Sequence, residues 1–116
     1  MSLVVYGIKN CNTMKKTFDF LESQGVNYEF IDYKKQKPTD ELLRSFIDKA
    51  GLDAVINKKG MTYRKMDEEQ RTALENEDKA IPVLIENSSM IKRPIILYPD
   101  ESISLGFDEE VISSKL

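Results

Sequence analysis

Histidine is absent from the 116 residues. With it go the cysteine–histidine dyad, the histidine general base and the usual catalytic zinc sites, so no metal site is expected. Cysteine occurs once, as Cys11. One thiol cannot close an internal disulfide, which suits a reducing compartment, and a cytoplasmic location is the expectation. No apolar run is long enough to span a bilayer, and no charged-then-apolar leader opens the chain. Acidic and basic side chains nearly balance, 20 against 17, for a net charge of −3. That leaves no strong positive field, so neither nucleic-acid nor membrane binding is expected. There is no internal repeat and no low-complexity tract. What remains is 41% apolar and 32% charged, enough to build one core at this length without disulfides. A single domain covering residues 1–116, and a monomer, are expected.

The run Leu3-Val4-Val5-Tyr6 is continuous rather than alternating and predicts a buried strand. Asn12 or Thr13 is placed to cap a following helix that ends near Gly25. A second strand is expected over about residues 26–32, which makes a strand–helix–strand unit. Lys34 to Pro38 reads as a surface link. Thr39 then caps a helix with an apolar stripe of Leu42, Leu43, Phe46, Ile47 and Ala50, closed by Gly51. Ala54-Val55-Ile56 suggests a helical turn, and Asp67 with Gln70 a capping box opening a helix to about Asn76. Pro82 is placed to begin another short helix, with Val83, Leu84 and Ile85 facing inward. Beyond Pro94 the period becomes that of strands: Ile95 to Tyr98, a turn at Pro99-Asp100-Glu101, and Ser102 to Leu105. Asp108 caps a last helix. This order predicts an α/β fold, a thioredoxin-like mixed four-stranded sheet with a helical insertion. The core takes about residues 1–33 and 90–116, the insertion about 34–89.

In open α/β sheets ligands bind at the carboxyl edge, where the loop after the first strand lies. Cys11 lies in that loop. At the mouth of a helix it meets unpaired backbone N–H groups and the positive end of the helix dipole, both of which favour thiolate. A free cysteine is more commonly a small buried apolar residue, but Asn10 and Asn12, with Lys9, Lys15 and Lys16 nearby, argue against a dry pocket. The motif is Cys11-Asn12-Thr13-Met14. Methionine in the fourth position has no thiol to resolve a mixed disulfide, and reads as a core residue of the first helical turn. What remains is monothiol chemistry in which an outside thiol releases Cys11, glutathione being the expected one. A second cluster, Lys92-Arg93-Pro94, precedes the third strand. Pro94 is predicted cis, and Arg93 beside it would present a forked cation to the Cys11 loop. A solvated Lys92–Arg93 pair is an equally good reading of the residues alone. Lys58, Lys59, Arg64 and Lys65 read as a solvated basic face.

Four stretches carry a family resemblance. They are Val5 to Lys16, Phe30-Ile31-Asp32-Tyr33, Ile56 to Lys65, and Ile91-Lys92-Arg93-Pro94-Ile95-Ile96. Together they resemble the ArsC/Spx/YffB family of arsenate reductase-like proteins, with Leu105-Gly106-Phe107 fitting the YffB-like branch. In arsenate reductases of this family one cysteine attacks arsenate, three arginines hold the oxyanion, and glutathione and glutaredoxin discharge the product. The resemblance implies that Cys11 is the nucleophile and Arg93 one of the arginines. Lys59 stands where the second would be, keeping charge but losing the fork. No arginine stands near Gly106-Phe107, where the third would be. The likeness to the YffB-like branch therefore implies a glutathione-dependent thiol reductase rather than an arsenate reductase. Cys11 and Arg93 would be catalytic, and Lys9, Asn10, Asn12, Lys59 and Pro94 would bind substrate. Glutathione would be co-substrate and glutaredoxin a further partner, with no bound cofactor. Two alternatives stand beside it: arsenate reduction, and an Spx-like regulator that binds RNA polymerase. Spx-like members sense oxidation through Cys-x-x-Cys, a switch that Met14 removes.

Overall fold

The computed structural model describes residues 3–116; the first two positions of the expected 1–116 domain lie outside the described residues. In chain order the elements are β1 (Leu3–Gly7), α1 (Asn12–Ser23), β2 (Tyr28–Asp32), α2 (Asp40–Ala50), α3 (Leu52–Val55) and α4 (Met61–Arg64). There follow α5 (Glu68–Ala73), α6 (Glu77–Glu86), a 3₁₀ turn (Ser88–Met90), β3 (Ile95–Leu97), β4 (Ile103–Leu105) and α7 (Glu109–Ser114). They fall into two units, one formed by the chain up to Gln36 with Arg93–Leu116, the other by Lys37–Lys92. No helix among the described residues is long and apolar enough to cross a membrane.

The first unit is built on a four-stranded sheet of order β2-β1-β3-β4. β1 and β2 run parallel, from Leu3 opposite Tyr28 to Gly7 opposite Asp32. β3 is antiparallel to β1, with Tyr6 opposite Ile95, and β4 is antiparallel to β3. This is the mixed sheet of a thioredoxin-like α/β fold. Leu3, Val5, Met14, Leu21, Ile96, Tyr98 and Ile112 form its core. Helix α1 buries Met14, Thr17 and Leu21, positions three and four apart that share one helical face. Among the hydroxyls that go inside, Thr17 donates to the Thr13 carbonyl at 2.8 Å, and Tyr98 and Ser104 share a bond of 2.8 Å.

Gly7 ends β1 because nothing larger fits. A Cβ there would lie 2.5 Å from Met14 Sδ and 2.6 Å from its Cε. Met14 is wholly buried and has no solvent to swing into. Gly7→Ala should therefore cost about 1–3 kcal/mol, the usual penalty for overpacking a tight core. The check is a urea midpoint; an unchanged midpoint would mean that Met14 repacks freely.

Local signals place the helices of the second unit. Thr39 accepts the Leu42 amide at the start of α2, and the Asp67–Gln70 capping box opens α5. Arg44 of α2 bonds Asp40 on its own helix at 2.7 Å and Glu77 and Asp78 of α6 at 2.8 and 3.0 Å. Pro82 does not begin a helix; it sits inside α6, which Asn76 opens by accepting the Lys79 amide. Three buried residues, Ala80, Ile81 and Leu84, pull this segment into one helix. The proline ring is exposed, so the bond it cannot donate is missing where water can replace it. Of the three residues expected to face inward, Leu84 is buried while Val83 and Ile85 are only half so.

Candidate active site

Cys11 is itself the N-cap of α1, with extended φ and ψ of −139° and 133°. The expected caps, Asn12 and Thr13, are the first two helical residues instead. Helical bonding starts one residue earlier, with the Lys15 amide on the Cys11 carbonyl at 3.0 Å. The shift puts the sulfur, rather than an amide oxygen, in front of the free N–H groups of the first turn. As a thiol it makes no close capping bond. It nonetheless lies in reach of the Met14 and Thr13 amides, which favour the charged form, and it is hydrogen-bonded by Arg93. Partial burial is the largest single influence on Cys11 and works upward. The Met14 and Thr13 amides, with the Arg93 hydrogen bond and charge, outweigh it, and the thiol lies below its ordinary value.

The sheet delivers Arg93 to this place. β3 enters opposite Tyr6 at Ile95, so Arg93 and Pro94 lie where β1 gives way to the Cys11 loop. The Arg93–Pro94 peptide is cis, Pro94 is buried, and its carbonyl accepts the Gly106 amide at 2.8 Å. Lys9, Asn10, Cys11 and Asn12 line one open groove of about 520 Å³, together with Lys15, Phe18 and Asp19 of α1. The last three were not assigned a site role from sequence. Their signal is helical: positions 15, 18 and 19 lie one and two turns along from Cys11. Phe18 is held edge-on to Phe30 and stacked on Tyr28, with centroids 4.9 and 5.5 Å away, so it forms a fixed wall. Lys59 belongs to the other unit. It is exposed in the turn before α4, with its amide on Asn57 Oδ1 at 3.2 Å.

Wider clefts of about 670 and 700 Å³ occur in the second unit. They contain no nucleophilic thiol, so the chemistry is read from the smaller groove at Cys11. No trio of metal-ligating side chains occurs among the described residues.

A model of the ArsC family matches residues 6–114. A protein of Haemophilus influenzae is 37% identical over 112 residues, covering 93% of either chain. Among solved structures, the YFFB protein is 39% identical with a TM-score of 0.90, covering 99% of either chain. An arsenate reductase (ArsC) related protein from Brucella melitensis is 35% identical with a TM-score of 0.78, over 98% of this chain and 93% of that one.

Proposed function

The chain belongs to the ArsC family, and from that premise we propose that it is a monothiol reductase that resolves glutathione-containing disulfides through Cys11. The observation that carries this reading is the lowered thiol at a helix start, bonded by Arg93, in a chain with no second cysteine. The Cys11 thiolate attacks the glutathione sulfur of a mixed disulfide. A bond forms between Cys11 and glutathione, the old S–S bond breaks, and the other thiol leaves with its electron pair and takes a proton from water. A second glutathione, as thiolate, then attacks the glutathione sulfur on Cys11. Glutathione disulfide departs and the Cys11 thiolate is restored. The net change is one mixed disulfide and one glutathione converted to one thiol and one glutathione disulfide.

Arg93 stabilises the attacking and departing forms of Cys11 alike. Lys9, Asn10 and Asn12 line the groove where the peptide part of glutathione would lie, and Pro94 would form the wall beside the cysteine. Glutaredoxin is an alternative discharging thiol, and the glutathione pool of the cytoplasm is the fitting setting. Arsenate is the second reading, since one relative is called arsenate reductase related. It is disfavoured by the lack of an arginine near Gly106-Phe107, where the family resemblance would place the third.

Incubation with glutathione disulfide should add one glutathione per chain, on Cys11, and free glutathione should remove it. Intact-mass measurement reads both steps. A chain that takes up no glutathione under these conditions would refute the proposal.

A further inference from the structure

Tyr33 is 1% exposed, and its hydroxyl is the buried side-chain polar atom left without a hydrogen-bond partner among the described residues. Native proteins rarely leave such a group unpaired, and those that do mostly keep it for a ligand, a water or a reaction. Its place in the fold narrows the choice. Tyr33 follows β2, and its amide donates to the Gly7 carbonyl at 2.8 Å, which fixes it beside the end of β1. Its ring stacks on Tyr6, centroids 6.3 Å apart and planes 21° off parallel. Tyr6 in turn faces Ile95, two residues past Arg93. Thus Tyr33, Arg93 and the loop carrying Cys11 meet at one edge of the sheet.

Burial first, then the neighbouring Tyr6, keep the phenol protonated, while the Arg93 charge acts on it in the opposite sense. Tyr33 therefore presents an O–H donor. The guanidinium that bonds Cys11 offers only donors, whereas the phenol oxygen can also accept. With both groups placed at one edge of the sheet, a negatively charged oxygen is the acceptor that both bind most strongly.

We infer that the Tyr33 hydroxyl and Arg93 together receive a negatively charged oxygen of the ligand at Cys11, with Tyr33 donating the second hydrogen bond. This rests on the reading above, in which Arg93 meets an anionic substrate, and adds Tyr33 as a ligand-binding residue. The oxygen belongs either to a peptide carboxylate or to a tetrahedral oxyanion.

The test measures protection of Cys11 against iodoacetamide in the full chain, wild type beside Tyr33→Phe. S-methylglutathione probes for a carboxylate and inorganic sulfate for a tetrahedral oxyanion. Loss of a hydrogen bond to a charged group should weaken the effective probe about tenfold. The urea midpoint of Tyr33→Phe without probe should hold or rise, because the hydroxyl has no protein partner to lose. Equal protection constants in the two proteins, or no protection of the wild type by either probe, would overturn the inference. So would a lowered midpoint with unchanged constants, which would make the hydroxyl structural. Failure of the reductase reading shows separately, as a wild-type chain that binds a probe yet turns over no disulfide.

Discussion

Cys11→Ser is expected to reduce turnover of a glutathione mixed disulfide to the rate of glutathione alone. A serine hydroxyl is scarcely ionised near neutral pH and cannot form the S–S bond of the intermediate. No other residue can substitute, since the chain has one cysteine and no histidine. The fold should survive. Position 11 is an N-cap, and serine is among the preferred residues there, so the variant should be as stable as the wild type or slightly more so. Turnover and urea midpoint measured on the same preparation separate the two effects. A variant that keeps the wild-type rate removes Cys11 from the chemistry, and one that also loses its fold would point to a packing role.

Arg93→Ala should have the second largest effect. Truncation removes both the hydrogen bond and the charge that hold the thiolate, leaving the Met14 and Thr13 amides against the opposing effect of burial. The midpoint of Cys11 alkylation against pH should move upward. Exchange at neutral pH should slow about tenfold, the worth of one hydrogen bond to a charged group. Linkage gives a second readout with a definite sign. The folded thiol titrates below the ordinary value of 9.0, so the folded state binds the thiolate form more favourably than the unfolded chain does. That stabilisation is complete above the unfolded value and is lost as pH falls through the lowered folded one. Relative to Cys11→Ser, the wild type should gain stability as pH rises through this window, and Arg93→Ala should gain less. Alkylation profiles that coincide for wild type and Arg93→Ala would show that the helix start alone sets the thiol.

The two results together divide the labour at this edge of the sheet. On those outcomes Cys11 supplies the bond, the helix start supplies fixed dipoles, and Arg93 supplies the charge that the missing histidine would otherwise have lent. Arg93 cannot take up a proton as histidine would, so it stabilises thiolate without acting as a base. The pH dependence of exchange should therefore follow the thiols alone.

Much of this could be read from residues near one another in the chain. Leu3 to Tyr6 is apolar without interruption, Gly25 accepts a positive φ of 67° at the end of α1, and Thr39, Asp67 and Asp108 cap the helices that follow them. Each is a local choice made by sterics or by one side-chain bond. The order of elements then leaves few sheet topologies, and the mixed sheet follows. The fourth position of the cysteine motif was equally legible: methionine bears no thiol in any fold. Even so, local signals erred where long-range burial competed with them. Pro82 reads as a helix start, but Ala80, Ile81 and Leu84 are buried on one face, and that burial outweighs one exposed, missing bond.

Tertiary structure alone decided what surrounds the thiol. Arg93 is remote from Cys11 along the chain, and a basic pair before a proline looks the same whether it is solvated or bonded to sulfur. Antiparallel pairing of β3 with β1 brings Arg93 to the Cys11 loop, where its hydrogen bond and charge act to lower the thiol. Tyr33 carries no local sign of its state either, because a tyrosine after a strand is ordinary until its hydroxyl is buried without a partner. Residue chemistry and local pattern determined that there is one thiol and no internal resolving partner for it. Register and burial, which join distant segments, determined that Arg93 and the buried Tyr33 lie at the edge of the sheet that carries the Cys11 loop.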